Sequence, residues 1–422
     1  MAIQMDDALR AAMESAARKA AMGSNATDQL RPGVVVPADE LREESTTGEA
    51  GLAPDQDQAR RSRDLSTRYL GLELRSPVVA SAGPISQSVE GMLRLQEAGV
   101  GAVVMYSLFE EQLRHEEARA QNLTEMHEES YSEAMSYFPT RPTNQGGITS
   151  RYLELLEQGA SRLEVPLLAS VNGATHGGWV QVARRMQDAG AAAIELNVYL
   201  VPGDVTTPGQ TVEDRHLEIL AGVKQAVDIP VAVKLSPFFS SVGQMAVRLS
   251  EAGADGLVLF NRFVQPDIDI EKLVVEPGLE LSSDFESRLP RTWIAALRGR
   301  VNSSLAATTG VQTADDVVKY ILAGADVVMS TSALVRHGAA YAQQLTDGLS
   351  SWLERKELTL DRARGMLAVP TDVPADAYER AGYVAALERA KALYGRWADP
   401  STSSGTGNGL SPRTLAEPQN VG

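Results

Sequence analysis

Four polar side chains stand at the downstream ends of short apolar runs. Asn172 follows Pro166 to Val171, Asn197 ends the run from Ala192 to Leu196, Lys234 lies inside Val231 to Leu235, and Asn261 follows Gly256 to Phe260. Apolar runs of this length read as buried parallel strands, and polar residues at their carboxyl ends are where α/β folds place their sites. One such asparagine is equally the residue of an ordinary turn. Four polar groups at the same end of four strands converge on one face, where three amides and an ammonium group can orient and polarise a small molecule.

Two further segments belong to the same pattern. Ala307-Thr308-Thr309-Gly310-Val311 and Met329-Ser330-Thr331-Ser332-Ala333-Leu334 are small, hydroxyl-rich turns ahead of helical segments. Small residues let backbone N–H groups approach an anion closely, although Thr-Thr-Gly also serves as an ordinary cap. Lys234 projects from a strand that is otherwise apolar, so it must either be ion-paired or face a ligand. A phosphate cradle, a lysine and several amides, with neither thiol nor metal ligand, fit a flavin better than a hydrolytic centre.

Composition narrows the field. The 422 residues carry 39 Lys and Arg against 55 Asp and Glu, a net charge of -16, which argues against nucleic acid as a partner. There is no cysteine, which excludes disulfides, thiolate zinc sites, iron-sulfur ligation and a cysteine nucleophile. Five histidines without a His-Glu-x-x-His spacing give no metal site. No apolar run reaches about 18 residues and no signal-peptide core is present, so a cytoplasmic protein is expected and membrane anchoring is not.

The elements that must position these groups follow from a repeat. Ala98-Gly99, Ala189-Gly190, Ala252-Gly253 and Ala323-Gly324 each end a helix-period segment and precede a buried strand by two or three residues. The glycine is expected to cap its helix in the left-handed conformation. Strands are expected at Pro77 to Ser81, Gly101 to Met105, Pro166 to Val171, Ala192 to Leu196, Val231 to Leu235, Gly256 to Phe260, Ser304 to Ala307 and Asp326 to Met329. Eight parallel strands alternating with helices describe a (β/α)8 TIM barrel. An open doubly wound sheet is the alternative, but the Gly-x-Gly-x-x-Gly turn of its dinucleotide-binding form is missing after the first strand.

The barrel and its C-terminal helices are expected over residues 64–398. Before it, residues 1–63 read as a separate helix, Asp6 to Met22, and a flexible linker; after it, residues 399–422 read as a disordered Ser/Gly-rich tail. Two loops on the carboxyl side are long: Phe109 to Ile148, and Arg262 to Pro290. They suit a lid or a subunit contact such as that of a homodimer. Within the second, Leu273 to Leu281 alternates around Pro277-Gly278 like a hairpin.

Ser76-Pro77-Val78-Val79-Ala80-Ser81-Ala82-Gly83, Glu195-Leu196-Asn197 with Pro202-Gly203, Val231-Ala232-Val233-Lys234-Leu235-Ser236-Pro237-Phe238-Phe239, Phe260-Asn261, Thr309-Gly310-Val311 and Thr331-Ser332-Ala333-Leu334, in this order, resemble the dihydroorotate dehydrogenase family. The likeness runs from about Leu65 to Leu345. It implies an FMN-containing barrel that oxidises dihydroorotate to orotate in pyrimidine biosynthesis. It implies that Lys234 and Asn197 contact the flavin and that Ala80 and Ser81 line its ring. The backbone of Thr309, Gly310, Thr331 and Ser332 would take the FMN phosphate, and Asn172, Asn197 and Asn261 would face the substrate.

The departures from that family are equally specific. Its Cys or Ser base falls three residues after Asn197, where this chain has Leu200, which cannot accept a proton. Tyr199 is the neighbouring substitute, although an unperturbed phenol, with a pKa near 10, is a poor base at neutral pH. The family's Lys-Ser pair after the second strand is Tyr106-Ser107, and its substrate-loop asparagine has no secure counterpart around Asn144 to Ile148. Three readings follow: an FMN oxidoreductase with slow turnover or a changed substrate, an FMN-holding electron-transfer subunit serving a redox partner, and a flavin-free lyase or isomerase using Lys234 as a Schiff base.

Overall fold

The computed structural model describes residues 64–112, 147–173, 179–198, 205–262, 266–276, 278 and 280–394. The expected helix Asp6 to Met22, the linker, the tail from Asp399, and Tyr199 and Leu200 lie outside them. The described residues fall into two compact units, 64–371 and 372–394. The second contains a single helix, Ala375–Tyr394.

The first unit opens with a hairpin, β1 (Thr67–Tyr69) and β2 (Leu72–Leu74), in which Tyr69 pairs with Leu72 across a two-residue turn. Leu70 and Gly71 take φ of 55° and 77°, the doubly left-handed turn whose twist matches antiparallel strands. Eight parallel strands then close a barrel: β3 (Val78–Ala80), β4 (Ala102–Phe109), β5 (Leu167–Gly173), β6 (Ala193–Val198), β7 (Val231–Leu235), β8 (Gly256–Leu259), and, after an inserted hairpin, β11 (Ser304–Ala307) and β12 (Val327–Ser330). Each lies within one or two residues of the expected position at its amino end. β4 and β5 run on further than expected, to Phe109 and Gly173.

The helices α1 (Val89–Glu97), α2 (Ile148–Arg162), α3 (Trp179–Asp188), α4 (Gly209–Ala226), α5 (Val242–Glu251), α6 (Arg288–Leu297) and α7 (Ala314–Ala323) surround the strands, followed by α8 (Ser332–His337), α9 (Tyr341–Lys356) and α10 (Leu360–Ala363). The expected glycine caps are present: Gly99, Gly190, Gly253 and Gly324 have φ of 89°, 93°, 95° and 118°. An L-residue pays for that conformation, and glycine does not.

Two layers of packing result. The larger joins the helices to the outer faces of the strands. The smaller fills the barrel interior, where Ala102, Ala193, Ala232 and Ala306 leave room for Tyr69 and Leu70 of the β1–β2 hairpin. The fit is close: a Cβ on Gly256 would lie 2.5 Å from Leu70 Cδ2. Leu70 N–H donates to Ser304 Oγ (3.1 Å) and Thr67 Oγ1 to the Asp326 carbonyl (3.2 Å), which ties this floor to the last two barrel strands.

Pro277 and Leu279 of the hairpin expected around Pro277-Gly278 lie outside the described residues, and a hairpin is formed just upstream of them. Val274–Glu276 (β10) pairs upstream with Asp267–Asp269 (β9), and the turn runs through Ile270 to Leu273. The Asp269 carboxylate accepts from the N–H groups of Glu271 and Lys272, and Lys272 bridges Asp269 and Glu276. An aspartate that caps its own turn in this way sets the position of this hairpin.

Candidate functional site

Successive strand residues alternate between faces, so Glu195 and Asn197 on β6, and Ala232 and Lys234 on β7, point the same way, into the barrel. Above the apolar floor a polar row crosses the interior. Ser107 Oγ and Ser170 Oγ are 2.8 Å apart, Ser170 Oγ donates to Glu195 Oε1 (3.4 Å), and Lys234 Nζ donates to the same oxygen (3.3 Å) and to Ser81 Oγ (3.4 Å). Lys234 is 8 % exposed and Glu195 0 %. Lys234 is therefore ion-paired, and it stands near the carboxyl end of its strand.

A second row lies at the mouth. Asn172 is level with Asn197, and Asn197 with Lys234. Asn261 Nδ2 donates to Asn197 Oδ1 (3.0 Å), while the Asn261 N–H is held by the Leu235 carbonyl (2.8 Å). Asn197, Lys234 and Asn261 are thus brought together, with Asn172 on the adjoining strand. A cavity of about 950 Å3 adjoins Asn261 and Thr309 and is walled by Phe238, Phe260, Arg262 and Phe285. That is room for a ligand of ordinary cofactor or substrate size.

The two small turns sit side by side across the β11–β12–β3 seam. Thr309 and Gly310 have φ of 75° and 73°. A β-branched residue is costly there, and the turn is secured on both sides: Thr309 Oγ1 donates to the Phe260 carbonyl (3.0 Å), and Tyr320 OH donates to the Thr309 carbonyl (2.8 Å). Gly310 has no room for a side chain, since a Cβ would lie 2.5 Å from Ser287 N. Thr331 Oγ1 donates to the carbonyls of Ser81 (3.0 Å) and Ala82 (3.2 Å), joining the second turn to the residues after β3.

Three participants escaped the sequence reading. Glu195 belongs to the Glu195-Leu196-Asn197 motif, and a lone carboxylate in a buried strand, two residues before Asn197, is its signal. Ser282 left no signal; its hydroxyl accepts from Gly310 N–H (3.3 Å) and lies 2.9 Å from Ser332 Oγ, so it closes the two turns from the loop before α6. Ser107 reaches the interior because the β4–β5 register shifts between Val104 and Ser107, a bulge that strict alternation does not foresee. Tyr106, its neighbour, turns edge-on to Tyr152 with ring centroids 5.0 Å apart.

Burial dominates the electrostatics around these rows. It pushes the Tyr69, Tyr106 and Tyr152 phenols above their ordinary value, with the Glu195 charge adding to the effect at Tyr69 and Tyr152. Among the described residues no cluster of three or more His, Asp or Glu is arranged to hold a metal ion, and no helix is long and apolar enough to cross a membrane.

Comparison with known proteins gives a consistent result. A family described as dihydroorotate dehydrogenase matches residues 64–353. The catalytic subunit of dihydroorotate dehydrogenase B (NAD(+)) from Methanocaldococcus jannaschii is 26% identical over 313 residues, covering 72% of this chain and 97% of that protein. The subunit of the same name from Listeria monocytogenes is 29% identical over 270 residues, 63% of this chain and 85% of the relative. That from Anoxybacillus flavithermus is 32% identical over 175 residues, 40% of this chain and 55% of the relative. With the family match spanning the whole barrel, the chain belongs to the dihydroorotate dehydrogenase family.

Proposed function

We propose that the protein is an FMN-dependent oxidoreductase of the dihydroorotate dehydrogenase type, acting on a small reducible or oxidisable ring compound and passing electrons to a partner protein. The observation that carries this reading is the meeting of Lys234, Asn197 and Asn261 at the barrel mouth, beside turns in which Gly310 has no room for a Cβ. These residues fit the group. Lys234 would stand at the electron-rich edge of the ring with Asn197, Ala80 and Ser81 would line it, and Thr309, Gly310, Thr331 and Ser332 would hold the phosphate. When bound, FMN supplies a two-electron acceptor for hydride.

The chain's own contribution is orientation and charge. Asn172, Asn197 and Asn261 offer both donors and acceptors, which suits a small polar ring such as dihydroorotate. Proton removal is the weak point, because Leu200 replaces the family's base and Tyr199 is a poor one; loss of a positioned base costs about 10²- to 10⁴-fold in rate. This supports slow turnover of dihydroorotate or a different donor. The relatives named as catalytic subunits support an electron-accepting partner. Lys234 as an ion-paired ammonium lacks the free lone pair that a Schiff-base lyase requires, which weighs against the flavin-free reading.

The purified protein is expected to be yellow, with a flavin spectrum bleached by dithionite; a colourless protein that cannot be reconstituted with FMN would overturn the reading. Anaerobic bleaching by dihydroorotate identifies the donor, and its absence after long incubation directs the search to other rings. Lys234→Ala is expected to lose FMN or its reactivity, and unchanged binding and reduction would show that the placement of Lys234 is wrong.

A further inference from the structure

Glu195 has no part in the chemistry described so far, yet it is the most deeply enclosed charge in the barrel. It lies between Ile194 and Leu196, faces the interior above the Ala193 and Ala232 layer, and is 0 % exposed. A carboxylate in such a place is costly unless paired. Its pairing is one-sided: Oε1 receives both Lys234 Nζ (3.3 Å) and Ser170 Oγ (3.4 Å), while Oε2 has no hydrogen-bond partner among the described residues.

The surrounding residues fix where this carboxylate stands. Ser170 is held at its backbone by Tyr152, whose hydroxyl donates to the Ser170 carbonyl (3.2 Å) and accepts from its N–H (3.0 Å). Ser170 in turn touches Ser107 across the bulge of β4. Glu195 is therefore held between Ser170 and Lys234 in the polar row, and Lys234, on a longer and more flexible stem, is the member that faces the mouth.

We propose that Glu195 is a positioning residue for Lys234: it draws the ammonium group to the Ser81 side of the mouth and neutralises it, so that a bound flavin meets an oriented donor with little net charge. This rests on the flavin reading above. Glutamate and lysine together sum to zero; an amide in place of the carboxylate leaves one positive charge beside the ring, and positive charge there favours the reduced, more anionic flavin.

The test is Glu195→Gln in the full chain loaded with FMN, with the reduction potential measured anaerobically against reference dyes. The potential is expected to rise by at least tenfold in the reduction equilibrium, about 30 mV for a two-electron couple. A Glu195→Gln protein that binds FMN at the unaltered potential overturns the proposal while leaving the flavin reading intact. A second measurement needs no flavin: urea unfolding of Glu195→Gln, Lys234→Met and the double variant. Each single change is expected to destabilise, and the double change to cost clearly less than their sum, because the two groups are coupled. Additive losses would show that Glu195 supports the barrel independently of Lys234, and would sink the proposal even if the wild type binds no FMN.

Discussion

The floor and the mouth of the barrel are built on the same strands and differ in almost everything else. At the floor, alanines at inward positions make space for Tyr69 and Leu70, and the interior is apolar and closely filled. Two residues further along each strand the inward positions become Ser170, Glu195 and Lys234, and beyond them Asn172 and Asn197. Hydrophobic burial holds the first region together, whereas hydrogen-bonded and ion-paired polar groups occupy the second. The same backbone can thus be stable at one end and chemically specialised at the other.

The separation can be broken experimentally. The largest effect is expected from Tyr69→Ala, which removes the ring that plugs the floor and should cost about 3–5 kcal/mol in urea unfolding. FMN affinity of the folded fraction should be unchanged; a parallel loss would mean that floor and mouth are one cooperative unit. Tyr69→Phe sharpens the point, since the hydroxyl has no partner among the described residues. Its removal should alter stability by less than about 1 kcal/mol.

At the mouth, Gly310→Ala forces a side chain into a φ of 73° and against Ser287 N. A loss of about 1–3 kcal/mol is expected. Here FMN affinity should fall with it, by roughly tenfold or more in a fluorescence titration. Retained affinity would show that the two turns do not hold the phosphate.

The smallest effect concerns the wall outside the mouth. His216 on α4 is buried, donates Nδ1–H to the Val212 carbonyl (2.7 Å), and meets Phe239 edge-on. Burial holds its imidazole below the usual value of 6.5, outweighing the Val212 and Val198 carbonyls. The unfolded chain therefore takes up the proton first as pH falls, and stability should decline below about pH 6.5 until the folded-state value is passed. His216→Gln should remove that part of the slope in thermal unfolding measured across this range, and an unaltered slope would assign it to other groups.

Much of the barrel was legible because its signals are local. Each Ala-Gly pair stops a helix for a steric reason, and each apolar run after it has only one way to be buried. Lys234, Asn197 and Asn261 were legible for the same reason, as polar breaks in those runs. What escaped depends on relations between distant segments. The pairing of Glu195 with Lys234 requires knowing that β6 and β7 are neighbours in register, and Ser107 reaches the interior only through a bulge set by its contact with β5. Ser282 reaches the Gly310 turn from 28 residues away, in a loop without periodicity. The β9–β10 hairpin went unseen because its turn signal is a single capping aspartate, Asp269.

The plug also constrains the order in which the molecule can be completed. Thr67 and Leu70 leave the ribosome before any barrel strand, but the groups that hold them, Asp326 and Ser304, lie 259 and 234 residues downstream. A nascent chain must therefore carry Tyr69 and Leu70 unseated through most of its synthesis, and the bottom of the cylinder can be sealed only after its final staves have emerged.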